Sequence, residues 1–147
     1  MQETKTLPLV VLVEDNPADV FLVQEAVRKE GLFIQLKVFE DGERAIRYID
    51  DVQPKLSNGL PKMILLDLNL PRRSGMEVLA QIRSNPVFKE VPVVIFTSSE
   101  SPRERERTFL MGANAYFRKS PDLDEFMKIG NVVRNILLSA GPANHTA

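Results

Sequence analysis

Residues 63–71 read MILLDLNLP, in which a continuous apolar run ends at the acidic residue Asp67. Residues 9–13 and 91–96 form two further apolar runs without a polar interruption. Continuous runs are typical of strands that are covered on both faces, as in a parallel sheet. Residues 33–39 alternate instead, which predicts an edge strand, and residues 115–117 complete a set of five strands.

Between these runs, apolar residues recur every three or four positions, which predicts helices. The pattern is clearest in three stretches, at residues 20–27, 78–82 and 126–136. Asn16 with Pro17 is a typical helix start, and Ser74 and Ser101 each precede a glutamate by three residues, as in a capping box.

The alternation defines the architecture. Five strands that alternate with five helices predict an α/β fold, a doubly wound parallel sheet with right-handed crossovers. We assign residues 7–140 to this single domain. Residues 1–6 and 141–147 are expected to be tails, and residues 51–61 a surface loop.

The composition excludes several kinds of chemistry. The 147 residues carry a formal net charge of −1, include no cysteine, and contain a single histidine, His145. Disulfides, thiolate metal sites and His-dependent triads are therefore excluded. The balanced charge gives no sign of nucleic-acid binding, and no membrane span or signal peptide is evident, so we expect a cytoplasmic protein.

Polar residues follow four of the predicted strands at their carboxyl ends. The set comprises Glu14, Asp15, Asp67, Thr97 and Lys119. Ligands of open α/β sheets bind at this edge, so we expect these side chains to lie together. Each residue alone would more readily be a helix cap or a surface residue, but their joint placement favours a site.

The same residues indicate a particular chemistry. Three neighbouring carboxylates repel one another unless a cation intervenes, and hard oxygen ligands suit Mg²⁺. A carboxylate can also act as a nucleophile and accept a phosphoryl group. The oxygens of that group would need Mg²⁺, the Lys119 ammonium and the Thr97 hydroxyl around them. Lys119 could pair either with Asp67 or with a phosphoryl oxygen.

At these residues the chain resembles the receiver domain of two-component response regulators, the CheY-like, flavodoxin-like (βα)5 fold. The resemblance covers roughly residues 9–138. It rests on residues 11–16 (VLVEDN), 64–71 (ILLDLNLP), Gly75, 92–97 (PVVIFT), Gly112 with Ala113, and 116–119 (YFRK). It implies the strand order 2-1-3-4-5.

The resemblance also implies roles for seven residues. They are Asp67 as phosphoacceptor, Glu14 and Asp15 as the acidic pair for Mg²⁺, Asn69 as a backbone-carbonyl ligand of the metal, Lys119 as the phosphate-contacting lysine, Thr97 as the switch hydroxyl, and Tyr116 as the aromatic that turns inward with it. For Tyr116 the alternative is an aromatic simply packed beside an edge strand.

One departure from the family pattern concerns the backbone after Lys119. The family usually has Lys-Pro there, often with a cis bond, whereas here Ser120 follows and Pro121 comes one place later. A cis bond before a residue other than proline costs about 2.5–4 kcal/mol. The conformation of the Lys119–Ser120 bond is therefore left open by the sequence.

Finer similarities narrow the subfamily. Residues 17–19 (PAD), 86–89 (PVFK) and 119–124 (KSPDLD) resemble stand-alone regulators paired with bacterial and cyanobacterial phytochrome kinases. The resemblance implies a sensor histidine kinase as partner, and more narrowly a bacteriophytochrome. It implies no enzymatic activity beyond the chain's own phosphoryl transfer and dephosphorylation.

The last predicted helix is apolar over more than the ~100° stripe that one core face needs. We interpret the excess as an interface, with Phe126, Ile129, Val133 and Ile136 as candidates, and expect a homodimer through this helix and the fifth strand. The alternative is a helix buried unusually deeply against the sheet.

Two other functions compete with a phosphoacceptor switch. A phosphohydrolase of the haloacid-dehalogenase type needs a second aspartate two residues after the nucleophile, where this chain has Asn69. A pseudo-receiver would only bind partners, but the complete polar set argues against it.

Overall fold

The central sheet has five parallel strands in the order β2-β1-β3-β4-β5, as predicted. The computed structural model describes residues 7–52 and 59–139. The strands are β1 (Leu9–Val13), β2 (Gln35–Phe39), β3 (Met63–Leu66), β4 (Val93–Thr97) and β5 (Ala115–Arg118). The edge position predicted for β2 is confirmed.

Six helices flank the sheet in the described part of the chain. They are α1 (Pro17–Lys29), α2 (Gly42–Asp51), α3 (Gly75–Ser84), α4 (Pro102–Leu110), α5 (Leu123–Phe126) and α6 (Ile129–Ser139). A 3-10 turn at Pro86–Phe88 precedes β4. The last predicted helix is interrupted by a turn at residues 127–128, which divides it into α5 and α6.

The break coincides with a tight turn and a close helix contact. The amides of Lys128, Gly130 and Asn131 donate to carbonyl oxygens three residues back, at 3.2, 3.1 and 3.0 Å. Such bonds tighten the helix locally. A Cβ on Gly130 would lie 2.4 Å from the backbone oxygen of Ala26 on α1, so only glycine permits this approach.

Two strand boundaries also differ from the prediction. The strand predicted over residues 91–96 begins at Val93, because Val91 still donates its amide to Phe88 of the 3-10 turn, at 3.1 Å. The strand predicted over residues 33–39 begins at Gln35, and Phe33 is exposed.

The core consists of two apolar clusters, one on each face of the sheet. Alternate residues of β1 and β3 divide between them, since successive strand residues point to opposite faces. Val11 and Ile64 pack with residues of α2 and α3. Leu12 and Leu65 pack with residues of α1, α5 and α6. This double cover explains why both strands are continuously apolar.

The capping signals have different outcomes at the two serines. Ser74 forms the complete reciprocal capping box with Glu77. Ser101 accepts a hydrogen bond from the amide of Glu104, at 3.1 Å, but its own amide donates to the side chain of Ser99 instead. Only half of the second box therefore forms.

The predicted tails at residues 1–6 and 141–147 lie outside the described residues, as do residues 53–58 of the predicted surface loop. Among the helices of residues 7–52 and 59–139, none combines the length and apolar character that a membrane crossing requires.

Candidate functional site

The predicted polar residues do meet at the carboxyl edge of the sheet. They surround an open pocket of about 560 Å³, whose lining includes Glu14, Asp15, Asp67, Asn69 and Lys119. Thr97 ends β4 in the same region but is fully buried, and its neighbour Ser98 lines the pocket instead.

Three carboxylates form a compact cluster in this pocket. Glu14, Asp15 and Asp67 each offer an oxygen, and these oxygens all lie within 4.8 Å of one another. Glu14 and Asp67 are buried, whereas Asp15 is exposed. Oxygen ligands at this density match the preference of Mg²⁺. The residues present therefore fit a divalent cation.

The backbone around two of these acids fixes their orientation. The amide of Asn16 donates to Glu14 Oε2 at 3.0 Å, and the amide of Asn69 donates to Asp67 Oδ1 at 3.3 Å. Below Asp67, the amide of Gly75 donates to the oxygen of Leu68 at 3.0 Å. The start of α3 thus supports the loop that holds Asp67.

Lys119 places its ammonium group among the carboxylates. Its Nζ lies 2.6 Å from Glu14 Oε1, 2.8 Å from Asp19 Oδ2 and 3.2 Å from Asp67 Oδ2. It also lies 4.9 Å from the centre of the Phe96 ring. Of the two partners considered for Lys119, Asp67 is in contact with it, and two further carboxylates share the same ammonium.

Burial and hydrogen bonding together shift the pKa values of Glu14 and Lys119. Removal from water is the main cause that raises the pKa of Glu14 to about 7, although the hydrogen bond from Lys119 opposes it. Burial alone would lower the pKa of Lys119, but its hydrogen bonds to Asp19 and Glu14 outweigh that effect and raise the pKa above its ordinary value.

The two predicted switch residues are joined through Ser99. Its amide donates to Thr97 Oγ1 at 3.3 Å, and its carbonyl oxygen accepts a hydrogen bond from the Tyr116 hydroxyl at 3.0 Å. The Tyr116 ring is half-buried, and the guanidinium of Arg105 lies 5.1 Å from its centre.

The backbone after Lys119 needs no unusual bond. No peptide bond in residues 7–52 and 59–139 is cis, so the bond between Lys119 and Ser120 is trans. The Lys119 amide donates to the oxygen of Thr97 at 2.7 Å. That bond continues the pairing of β4 with β5 and directs Lys119 into the pocket.

Asp19 is a charged site residue that the sequence patterns did not predict. A carboxylate in the first turn of a helix is favourable for the helix dipole on its own account, so it did not point to a site. A usable signal was its spacing from Val23. Residues four apart share a helix face, and Val23 is fully buried against the sheet.

The predicted interface residues require a correction. Phe126, Ile129 and Val133 are buried in the domain's own core. The ring of Phe126 meets that of Phe96 edge to face, with centres 5.5 Å apart. The wide apolar stripe is thus used mainly against α1 and the sheet. Of the four candidates, Ile136 alone is not buried.

This fold and this acidic pocket define a receiver domain. The sequence model of the response regulator receiver domain family matches residues 10–130, and the chain belongs to that family. Receiver domains bind Mg²⁺ or Mn²⁺ in the acidic pocket and interact with sensor histidine kinases, and they generally act as signalling proteins rather than as enzymes.

Particular relatives are similar over most of their length. Response regulator Rcp1 of Synechocystis sp. is 35% identical over 127 residues, which cover 86% of each chain. The crystal structure of the phosphorylated cyanobacterial phytochrome response regulator RcpA superposes with a TM-score of 0.81 at 33% identity, over 92% of this chain and 97% of that one. The Mn²⁺-bound form of Rcp1 superposes with a TM-score of 0.78 at 33% identity, over 91% and 96%.

Proposed function

We propose that the chain is a phosphorylation-controlled switch that accepts a phosphoryl group on Asp67 from a sensor histidine kinase. One observation carries the proposal. A buried aspartate at the end of the central strand lies beside two further carboxylates and 3.2 Å from a lysine ammonium. That arrangement offers a nucleophile together with positive charge for the incoming group.

In the transfer step, a carboxylate oxygen of Asp67 attacks the phosphorus atom of a phosphohistidine. A new O–P bond forms as the N–P bond to the donor breaks, and the histidine nitrogen keeps the electron pair. Bound Mg²⁺ supplies positive charge that offsets the charge on the phosphoryl oxygens. Glu14, Asp15 and Asp67 would hold it with side-chain oxygens, and Asn69 with its carbonyl oxygen.

The remaining residues would stabilise and report the modified state. Lys119 would exchange its contact with Asp67 for one with a phosphoryl oxygen. Thr97 would contact another oxygen, which disturbs its hydrogen bond from Ser99. Because Ser99 also accepts from Tyr116, the change would reach β5 and the surface beside it.

Intact-mass measurement after incubation with acetyl phosphate and Mg²⁺ tests this function. We expect an adduct of about 80 Da, the mass of one phosphoryl group, on the wild-type chain and none on Asp67→Asn. Asp15→Asn should retain the acceptor but form the adduct slowly. If the folded wild-type chain forms no adduct and does not bind beryllofluoride, the chain is a pseudo-receiver that only binds partners.

A phytochrome-like kinase is the partner that we propose for the chain. Support comes from its similarity to RcpA, which is itself a phytochrome response regulator. Phosphotransfer from a purified bacteriophytochrome kinase should exceed transfer from an unrelated histidine kinase at equal concentration. Equal rates from both kinases would contradict the pairing.

We also propose that the chain self-associates through the last helix and the fifth strand. This association depends on Ile136 and on Leu138, which is 61% exposed. Light scattering, with and without beryllofluoride, should show a dimer that Leu138→Glu dissociates. Phe33→Glu is a matched control, because Phe33 is 79% exposed at the opposite edge of the sheet. A monomer at high concentration in both states would contradict the dimer.

A further inference from the structure

Asp19 is the one carboxylate partner of Lys119 that does not belong to the three-carboxylate cluster. Glu14 and Asp67 both belong to the cluster that fits a divalent cation, so a bound cation would compete with Lys119 for their oxygens. Asp19 lies 2.8 Å from Lys119 Nζ but is not in that cluster. Its carboxylate is therefore not one that a cation in that cluster would share with Lys119.

We propose that Asp19 is a positioning residue, which holds the Lys119 ammonium over the phosphoacceptor while the other two carboxylates engage the cation and the phosphoryl group. This inference rests on the proposed function of Asp67. A lysine needs such an anchor, because its charge sits on a flexible four-carbon stem and has no fixed direction.

The position of Asp19 suits it to this role. It lies in the first turn of α1, where its amide donates to the capping side chain of Asn16 at 3.4 Å. The neighbouring amide of Ala18 donates to the same oxygen at 2.9 Å. The carboxylate therefore projects from a capped helix start rather than from a loop.

Solvent is largely kept from the contact. The side chain of Asp19 is 18% exposed and that of Lys119 is 10% exposed. Ion pairs at this depth are screened less than exposed pairs, which contribute little. By comparison, the exposed pair of Glu25 and Arg28 on the same helix is 34% and 75% exposed. Asp19 can thus orient Lys119 in a way that a surface carboxylate cannot.

The test begins with the rate of phosphoryl uptake from acetyl phosphate. Asp19→Asn should slow uptake by about tenfold, the usual effect of removing a partner that orients a reacting group. Asp19→Glu keeps the charge and should recover most of the rate. Glu40→Gln is the matched control, because it removes an exposed carboxylate after β2, at the same edge of the sheet, and should leave the rate unchanged.

A double-mutant cycle separates positioning from a general charge effect. In a Lys119→Gln background, Asp19→Asn should change the uptake rate by less than about twofold, since the group it acts through is gone. If Asp19→Asn slows uptake equally with and without Lys119, Asp19 acts independently of Lys119 and the inference is wrong.

A second measurement does not use phosphorylation. In metal-free protein with ¹⁵N-labelled lysine, the Lys119 ammonium should exchange its protons with water slowly enough to give a resolved NMR signal. Asp19→Asn should broaden this signal, and Glu40→Gln should not. An unchanged signal in Asp19→Asn would overturn the inference even if Asp67 is phosphorylated normally. If wild type forms no adduct, the proposed function fails, and this signal still decides whether Asp19 anchors Lys119.

Discussion

The hydroxyl of Tyr116 on β5 donates a hydrogen bond to the carbonyl oxygen of Ser99, and the two oxygens lie 3.0 Å apart. The amide of the same Ser99 donates to Thr97 Oγ1 at 3.3 Å. A single residue in the loop after β4 therefore connects the end of β4 to β5. Movement of the Thr97 side chain would therefore disturb the hydrogen bond from Ser99 and, through Ser99, the contact with Tyr116.

Tyr116→Phe removes the hydroxyl and should lower the free energy of unfolding by about 1 kcal/mol, the usual net value of one hydrogen bond. Urea denaturation measures this loss, and amide hydrogen exchange should become faster at Ser99 and its neighbours. Tyr48→Phe is the matched control, because its hydroxyl lies 3.5 Å from the oxygen of Gly59, at the limit of a hydrogen bond. If both variants lose the same free energy of unfolding, the hydrogen bond from Tyr116 to Ser99 contributes no more to stability than the marginal contact of Tyr48.

Glu14 predicts a pH dependence of stability in the metal-free chain. Its ordinary pKa of 4.5 is raised to about 7, chiefly by burial. Between these values the folded chain holds a proton that the unfolded chain has released, so stability falls as pH rises from about 4.5 to about 7. The loss is on the order of 3 kcal/mol.

Glu14→Gln removes the titrating group and keeps its shape. With a chelator present, denaturation from pH 4.5 to 7.5 should show the variant gaining stability relative to wild type as pH rises. A constant difference across this range would show that Glu14 does not titrate there, and that its burial is fully offset by Lys119.

Most of the sheet could be predicted because the strands depend on local composition. Buried runs such as residues 63–66 need only a two-sided cover, and the acids that follow them meet wherever parallel strands end at one edge. The broken last helix could not be predicted in this way. It coincides with the contact of Gly130 with the oxygen of Ala26, which lies more than a hundred residues away in the sequence.

The site was predicted less completely than the sheet. Asp19 had a sufficient local explanation in its own helix, so nothing in the sequence required a second role. The interface candidates failed for the opposite reason. A wide apolar stripe predicts how much of a helix is buried but not what buries it. Phe126 and Ile129 pack against this chain's own sheet and α1 rather than against a second chain.

Gly75→Ala should displace the loop that holds Asp67. A Cβ at this position would lie 2.2 Å from the oxygen of Asp67 and 2.5 Å from Leu68 Cα, so the loop that holds Asp67 must move. We expect a loss of about 1–3 kcal/mol in stability. We also expect slower phosphoryl uptake under conditions where the chain is fully folded.

Ala80→Gly is the control for this variant. Ala80 is exposed on the same helix, and glycine there should cost about 1 kcal/mol through helix propensity without reaching the site. Normal uptake in Ala80→Gly together with slow uptake in Gly75→Ala would separate geometry from stability. Normal uptake in both would show that the loop can shift without disturbing Asp67.

Arg83 on α3 contacts the segments that precede β4 and β5, at the amino-terminal ends of the strands and away from the acidic pocket. Its guanidinium donates to the oxygens of Gly112 at 2.9 Å, Phe88 at 3.0 Å and Val91 at 2.9 Å, and to Asn114 Oδ1 at 2.9 Å. The segments before β4 and β5 are thus tied to α3 through a planar group with several donors. An ammonium has no such geometry.

Arg83→Lys should therefore lower the free energy of unfolding by about 2–3 kcal/mol, because it keeps the charge and leaves carbonyl oxygens without donors. Arg107→Lys makes the same chemical change on the exposed surface of α4 and should change stability by less than about 0.5 kcal/mol. Urea denaturation of both variants measures the difference. Phosphoryl uptake should be normal in folded Arg83→Lys, because these contacts precede the strands whose other ends form the site. A small stability loss equal to that of Arg107→Lys would mean that water replaces the guanidinium at these oxygens.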